Sequence, residues 1–148
     1  MNKFEELIEQ LGSILQIPLH AENGVACKLN IKNVFHVQLE YNESKEEILL
    51  ASFINPIPPG KFREETLLEA LRANNEENSL GSFAYSDKNN SLFLQLYLPI
   101  SISAEELNTN LKQFIDKGKI WKEALEKGKL ELVSKSTTSS LISPFTLT

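Results

Sequence analysis

The chain has 148 residues, with 20 acidic and 15 basic side chains for a net charge of −5, and a single cysteine. That length suits one domain, in which about 68–70% of the unfolded surface is buried without help from a disulfide or a metal. Lysines scattered among glutamates argue against nonspecific nucleic-acid binding, which concentrates positive charge against phosphates.

The first residues, Met1-Asn2-Lys3-Phe4-Glu5-Glu6, open into an acidic amphipathic pattern and lack the basic start and apolar run of a signal peptide. Residues 3–16 are predicted as a helix with one apolar stripe of Phe4, Leu7, Ile8, Leu11, Ile14 and Leu15. Asn2 is its expected cap, with Glu5 three residues on, and Pro18 its stop. Glu22-Asn23-Gly24 is a turn signal.

Three strands are expected next. Ala26 to Ile31 sets Cys27, Leu29 and Ile31 on one face, and Lys32-Asn33 reads as a tight turn. The strand from Val34 to Tyr41 alternates clearly, with Phe35, Val37, Leu39 and Tyr41 against His36, Gln38 and Glu40. After a polar loop, Ile48 to Ile54 is nearly continuous in apolar residues, so both of its faces are expected to be covered. Short loops between the three predict an antiparallel meander.

Asn55-Pro56-Ile57-Pro58-Pro59-Gly60 is a stiff connector, incompatible with helix interior or central strand. A second helix is predicted from Lys61 to Asn75, carrying Leu67, Leu68, Ala70, Leu71 and Ala73. A hairpin follows, Gly81 to Tyr85 and Ser91 to Leu98, whose second strand sets Leu92, Leu94, Leu96 and Leu98 against Phe93, Gln95 and Tyr97. Ser103-Ala104-Glu105-Glu106 has capping-box spacing and opens a helix with Leu107, Leu111, Phe114, Ile115, Trp121 and Leu125. Gly118 interrupts it and is expected to loosen that turn; Gly128 ends it. The last fifteen residues include nine Ser or Thr, so a domain over 1–130 and a mobile tail over 131–148 are expected, with Leu141, Ile142, Phe145 and Leu147 free to dock. The order α-β-β-β-α-β-β-α predicts an α+β fold with a mostly antiparallel sheet.

Chemistry is sparse. There is no glycine-rich phosphate loop, no G-x-S-x-G elbow, and no pair of soft ligands at helical spacing. Cys27 and His36 lie on neighbouring strands, but read better as a small core residue and an exposed strand residue. The glutamate clusters (Glu5-Glu6-Glu9, Glu43-Glu46-Glu47, Glu64-Glu65-Glu69, Glu76-Glu77) read as solvated charge rather than acid–base groups. No catalytic residue, cofactor or metal is expected, and the chain reads as a binding protein, not an enzyme. Three amphipathic helices exceed what one face of a five-stranded sheet needs. The third stripe, or the opposite sheet face with Phe93 and Tyr97, then calls for a partner, most simply a dimer.

The order of elements and several local patterns resemble the class I type III secretion chaperones, the family of the Tir and YopE chaperones. The resemblance runs from about Phe4 to Leu125. It rests on Ile48-Leu49-Leu50-Ala51-Ser52-Phe53-Ile54, the proline-rich connector, Leu67-Leu68-Glu69-Ala70-Leu71-Arg72-Ala73-Asn74, Gly81-Ser82-Phe83-Ala84-Tyr85, the Leu-rich strand ending at Leu98-Pro99, and Glu105-Glu106-Leu107 with Phe114 and Trp121. The Ser/Thr-rich end is longer than that fold requires.

The resemblance implies a bacterial cytoplasmic chaperone, without nucleic-acid or membrane partners, that binds the disordered N-terminal segment of a secreted effector or gatekeeper protein and keeps it export-competent. It implies cargo contacts at Phe4, Leu7, Ile8, Leu11, Leu29, Ile31 and Val34, although ordinary core is an equal reading of each. It also implies a homodimer, or a heterodimer with a second chaperone, through Leu67, Leu68, Leu71, Phe83 and Tyr85. Two other readings stay open: a regulator of the transcription machinery, and a small enzyme with an unrecognised site.

Overall fold

The structure is a computed structural model that describes residues 1–77 and 79–133. Among these, helix α1 (Lys3–Leu15), strands β1 (Ala26–Ile31), β2 (Phe35–Asn42) and β3 (Glu47–Pro56), helix α2 (Lys61–Asn74), strands β4 (Ser82–Ser86) and β5 (Ser91–Pro99), and helix α3 (Ala104–Lys127) follow in the predicted order. The strands form one antiparallel sheet ordered β1-β2-β3-β5-β4, so β5 inserts between β3 and β4.

Local signals account for most boundaries. Asn2 Oδ1 accepts from the Glu5 backbone N–H at 2.8 Å, and Glu5 Oε1 accepts from the Asn2 N–H at 2.9 Å, a closed capping box. The Asn2 side-chain amide also donates to Gly24 O at 2.9 Å, tying the turn before β1 to the start of α1. Lys32 and Asn33 both take positive φ (52° and 59°) in a β-turn closed by the Val34 N–H donating to Ile31 O at 2.9 Å, and Ile31 pairs with Phe35, so three residues connect the strands. Ser103 caps α3 by accepting from the Glu106 N–H at 3.1 Å, and Gly128 closes it in the left-handed conformation.

One sheet face is packed. α1 lies on α3, and α3 crosses β2 and β3. The core between them holds the α1 stripe of Phe4, Leu7, Ile8 and Leu11, the inward residues Cys27, Leu29, Phe35, Val37, Leu39, Ile48 and Leu50, and Leu107, Leu111, Phe114 and Trp121 of α3. Phe4 stacks on Tyr41, with ring centroids 5.6 Å apart.

Two expectations are corrected here. α3 runs unbroken through Gly118, which does not loosen the helix: the Phe35 ring packs against the space a Cβ would fill. Among the described residues β3 is covered on one face only. Ile48, Leu50, Ser52 and Ile54 are buried, while Leu49 and Ala51 are half-buried and Phe53 is exposed. Just after the expected domain boundary at residue 130, residues 131–133 form a further turn of helix, and Val133 is only 1% exposed. The remainder of the expected tail, residues 134–148, lies outside the described residues.

α2 packs on β4, at the sheet edge. Asn74 fastens it there: its amide donates to Phe83 O at 3.0 Å and its Oδ1 accepts from the Phe83 N–H at 2.7 Å. This pair occupies edge groups of β4 that would otherwise be open to another strand. Asn74→Ala leaves both backbone groups unpaired in a part-buried site, and should cost about 1–3 kcal/mol in urea unfolding. An unchanged midpoint would show the clamp to be dispensable.

Candidate functional site

Cys27 points into the core opposite Leu39, while His36 pairs with Asn30 and is exposed, so the two do not meet. Burial, reinforced by the charge of Glu22, pushes the Cys27 thiol above its ordinary value despite a hydrogen bond to the His20 backbone, so it is held protonated. Among the described residues no three metal-ligating side chains come together, and no helix is long and apolar enough to cross a membrane.

What the fold exposes is apolar surface, in two places. The first is the sheet face opposite α1 and α3, which no described element covers. The cross-strand partners Phe53 and Phe93 meet there edge to face, 5.6 Å between centroids at 77°. Phe53 is 46% exposed, and Tyr97, beside Leu49 in the register, is 56% exposed. Lys28, Asn30, His36, Gln38 and Ala51 complete a concavity of about 370 Å³ with the two phenylalanines. A second, more polar hollow of about 490 Å³ lies toward the other end of the face, where Glu40, Glu43 and Glu47 surround Leu49 and Tyr97. The face therefore grades from aromatic to acidic along the strands.

The second place is the flank formed by α2 and β4. Leu68 and Leu71 are 49% and 60% exposed. A concavity of about 230 Å³ is lined by Leu67, Ala70, Leu71, Phe83, Tyr85 and Leu92. Phe83 is held from behind by Trp121, at 4.3 Å between centroids, and lies under the Lys117 ammonium at 5.1 Å. That ammonium donates to Ser79 Oγ at 3.1 Å and Leu80 O at 3.0 Å, fixing the approach to β4. Burial lowers its pKa from the ordinary lysine value, and the charge of Glu76 partly offsets this.

The expected cargo residues divide. Phe4, Leu7, Ile8, Leu11 and Leu29 are buried in this chain's own core and offer no surface to a ligand. Ile31 is half-buried, and Val34, in the β1–β2 turn, is 57% exposed. Of the expected dimer residues, Leu67, Leu71, Phe83 and Tyr85 line one hollow, with Phe83 largely buried by α2 and α3, while Leu68 is exposed on α2 and does not line it. Phe53 and Leu49 escaped the sequence reading because the run from Ile48 to Ile54 hides its alternation. The signal was available in the paired strand β2, whose polar residues Gln38 and Glu40 mark the face that Ala51 and Leu49 share.

A chain of the HopA1–SchA chaperone–effector complex shares this architecture with a TM-score of 0.69 at 19% identity, over 82% of the present chain and 94% of that one. The chain has the class I type III secretion chaperone fold. The same fold recurs in the Yersinia pestis type III secretion chaperone SycH in complex with a stable fragment of YscM2, with a TM-score of 0.65, 21% identity, and coverage of 80% and 98%. It recurs in the ExsC–ExsE complex, with a TM-score of 0.65, 16% identity, and coverage of 83% and 93%. No family profile and no curated protein matches the chain in sequence. The chaperone fold here is thus carried by the pattern of buried positions and the order of elements rather than by retained residues.

Proposed function

We propose that this chain is a type III secretion chaperone that binds the disordered N-terminal segment of an effector or gatekeeper protein in the bacterial cytoplasm, without turnover, nucleotide or metal. The observation that carries the reading is an open, partly aromatic sheet face on a fold shared, over four-fifths of the chain, with a chaperone–effector complex. Such a face suits an extended segment: flat aromatic rings take alternate side chains, and the acidic end takes a basic one. Ordering the segment costs free energy, so contact must extend beyond the 370 Å³ hollow. Because the α1 stripe is core, our reading assigns the cargo surface to Phe53, Phe93, Ala51 and Tyr97 on the open face, with the exposed Val34 in the β1–β2 turn near its end.

The test is to recover what co-purifies with the chain from its native cell and to titrate that fragment calorimetrically. Apolar docking predicts a negative heat-capacity change and affinity that survives moderate salt. Recovery of a folded polymerase subunit instead of a secreted protein would replace this reading with a regulatory one.

Dimerisation through α2 and β4 is part of the same proposal, supported by the exposed Leu71 at a preformed hollow and the exposed Leu68 on the same helix. Glu at position 68 or 71 is tolerated by the protomer, since both side chains reach solvent, but places a charge in an apolar contact. Leu71→Glu should halve the mass seen by light scattering. A wild-type chain that is monomeric, alone and with every co-purified partner, would refute the interface.

A further inference from the structure

We infer that the open sheet face selects an extended cargo segment in which every second side chain faces the sheet, the first two of these being large and apolar and the next two lysine or arginine. This deepens the cargo reading and rests on it for the kind of occupant; the pattern comes from the face itself.

The register sets the spacing. The outward residues of β3 are Phe53, Ala51, Leu49 and Glu47, with Phe93 opposite Phe53 and Tyr97 opposite Leu49 on β5, and Glu40 opposite Leu49 on β2. Successive outward positions on a strand lie about 7 Å apart, and an extended segment laid along the strands repeats in the same step. Alternate side chains of such a segment therefore meet the four rows in turn.

The first two rows are apolar. Phe53 and Phe93 meet edge to face, and beside them the small Ala51 leaves room in the hollow of about 370 Å³. No carboxylate lines this hollow; its titratable side chains are Lys28 and His36. A cation in the segment has no partner there, whereas an apolar side chain over Ala51 has the Phe53 ring for a wall.

The last two rows change chemistry. Leu49 and the exposed Tyr97 give the stem of a long side chain an apolar bed, and Glu40, Glu43 and Glu47 stand around them. Among the described residues none of these three carboxylates is in an ion pair. Glu40 accepts from the Gln38 side-chain amide, and Lys45 is the one cation lining the hollow. Three carboxylates against one ammonium leave the hollow negative. Its complement is a cation carried on a long apolar stem, and a carboxylate in the same place is repelled. Apolar surface and charge are thus set at opposite ends of one face, at a fixed spacing.

The probes are capped synthetic peptides, titrated calorimetrically into the full chain. The first is Thr-Leu-Thr-Phe-Thr-Lys-Ser-Lys, made in both chain directions. A second replaces both lysines by glutamate. A third, Thr-Leu-Thr-Phe-Lys-Thr-Lys-Ser, keeps the composition but turns both lysines away from the face. In at least one direction the first peptide should bind about tenfold or more tighter than the second, and about fivefold tighter than the third. Glu40→Gln/Glu47→Gln should remove most of the gap between the first and third peptides. Phe53→Ser should weaken the first peptide, since its apolar half sits there. Equal binding of the first and third peptides would reduce the effect to net charge and overturn the proposal. So would no binding in either direction, or binding indifferent to Phe53→Ser. None of these outcomes decides the chaperone reading, which stands or falls on what co-purifies with the chain.

Discussion

Gly118→Ala should destabilise the protein, although alanine is the better helix former. In an exposed helix interior the exchange would gain about 1 kcal/mol. Here the new Cβ would overlap Cζ of Phe35, a buried ring in the packed core between α3 and β2. Ring and helix would have to separate, and overpacking of this kind costs about 1–3 kcal/mol. Gly118→Leu should lie at or beyond the upper end of that range. Each kcal/mol should lower the thermal midpoint by roughly 2–4 °C in a domain of this size. Lys119→Ala, on the exposed side of the same turn, is the control and should change stability by less than about 0.5 kcal/mol. In a Phe35→Leu background the Gly118→Ala penalty should shrink, because the two residues are coupled through contact. A Gly118→Ala protein as stable as the wild type would mean that the ring does not seat there.

Substitutions on the two faces of the sheet should separate stability from binding. Leu11 is fully buried between α1 and α3, so Leu11→Ala should cost about 2–5 kcal/mol through lost transfer energy and the cavity left behind. Any weakening of cargo binding would then track the unfolded fraction. Phe53→Glu sits at a half-open position and should leave the circular dichroism and thermal midpoint nearly unchanged. It should weaken a co-purified cargo fragment by 30-fold or more, the equivalent of losing one well-buried aromatic anchor at about 2 kcal/mol. Unaltered affinity in folded Phe53→Glu would move the cargo surface away from the open face. The remaining candidates would be Val34 in the β1–β2 turn and the half-buried Ile31 on the packed face beside it.

The element order, both helix caps, the Lys32-Asn33 turn and the split of β5 into a leucine face and a Phe93–Tyr97 face were all legible in the sequence. Each rests on interactions between residues a few positions apart, or on a strict two-residue period, and neither needs knowledge of the partner element. The hollow between α2 and β4 was legible in the same way: Leu67 and Leu71 lie on one short stretch, and the hairpin residues Phe83 and Tyr85 line it with them.

Tertiary structure alone decided which apolar stripe is core and which is surface. The α1 stripe and the outward residues of β3 are equally hydrophobic in sequence. α1 is buried because α3 lies over it, and Phe53 is exposed because no described helix reaches the opposite face. The role of Gly118 was hidden for the same reason. A glycine in a helix reads as a weak point until the ring that fills its missing side chain is seen, and that ring comes from a strand more than eighty positions earlier in the chain. Periodicity records which side of an element is apolar; what covers that side is a contact between elements far apart in sequence, and only the folded chain contains it.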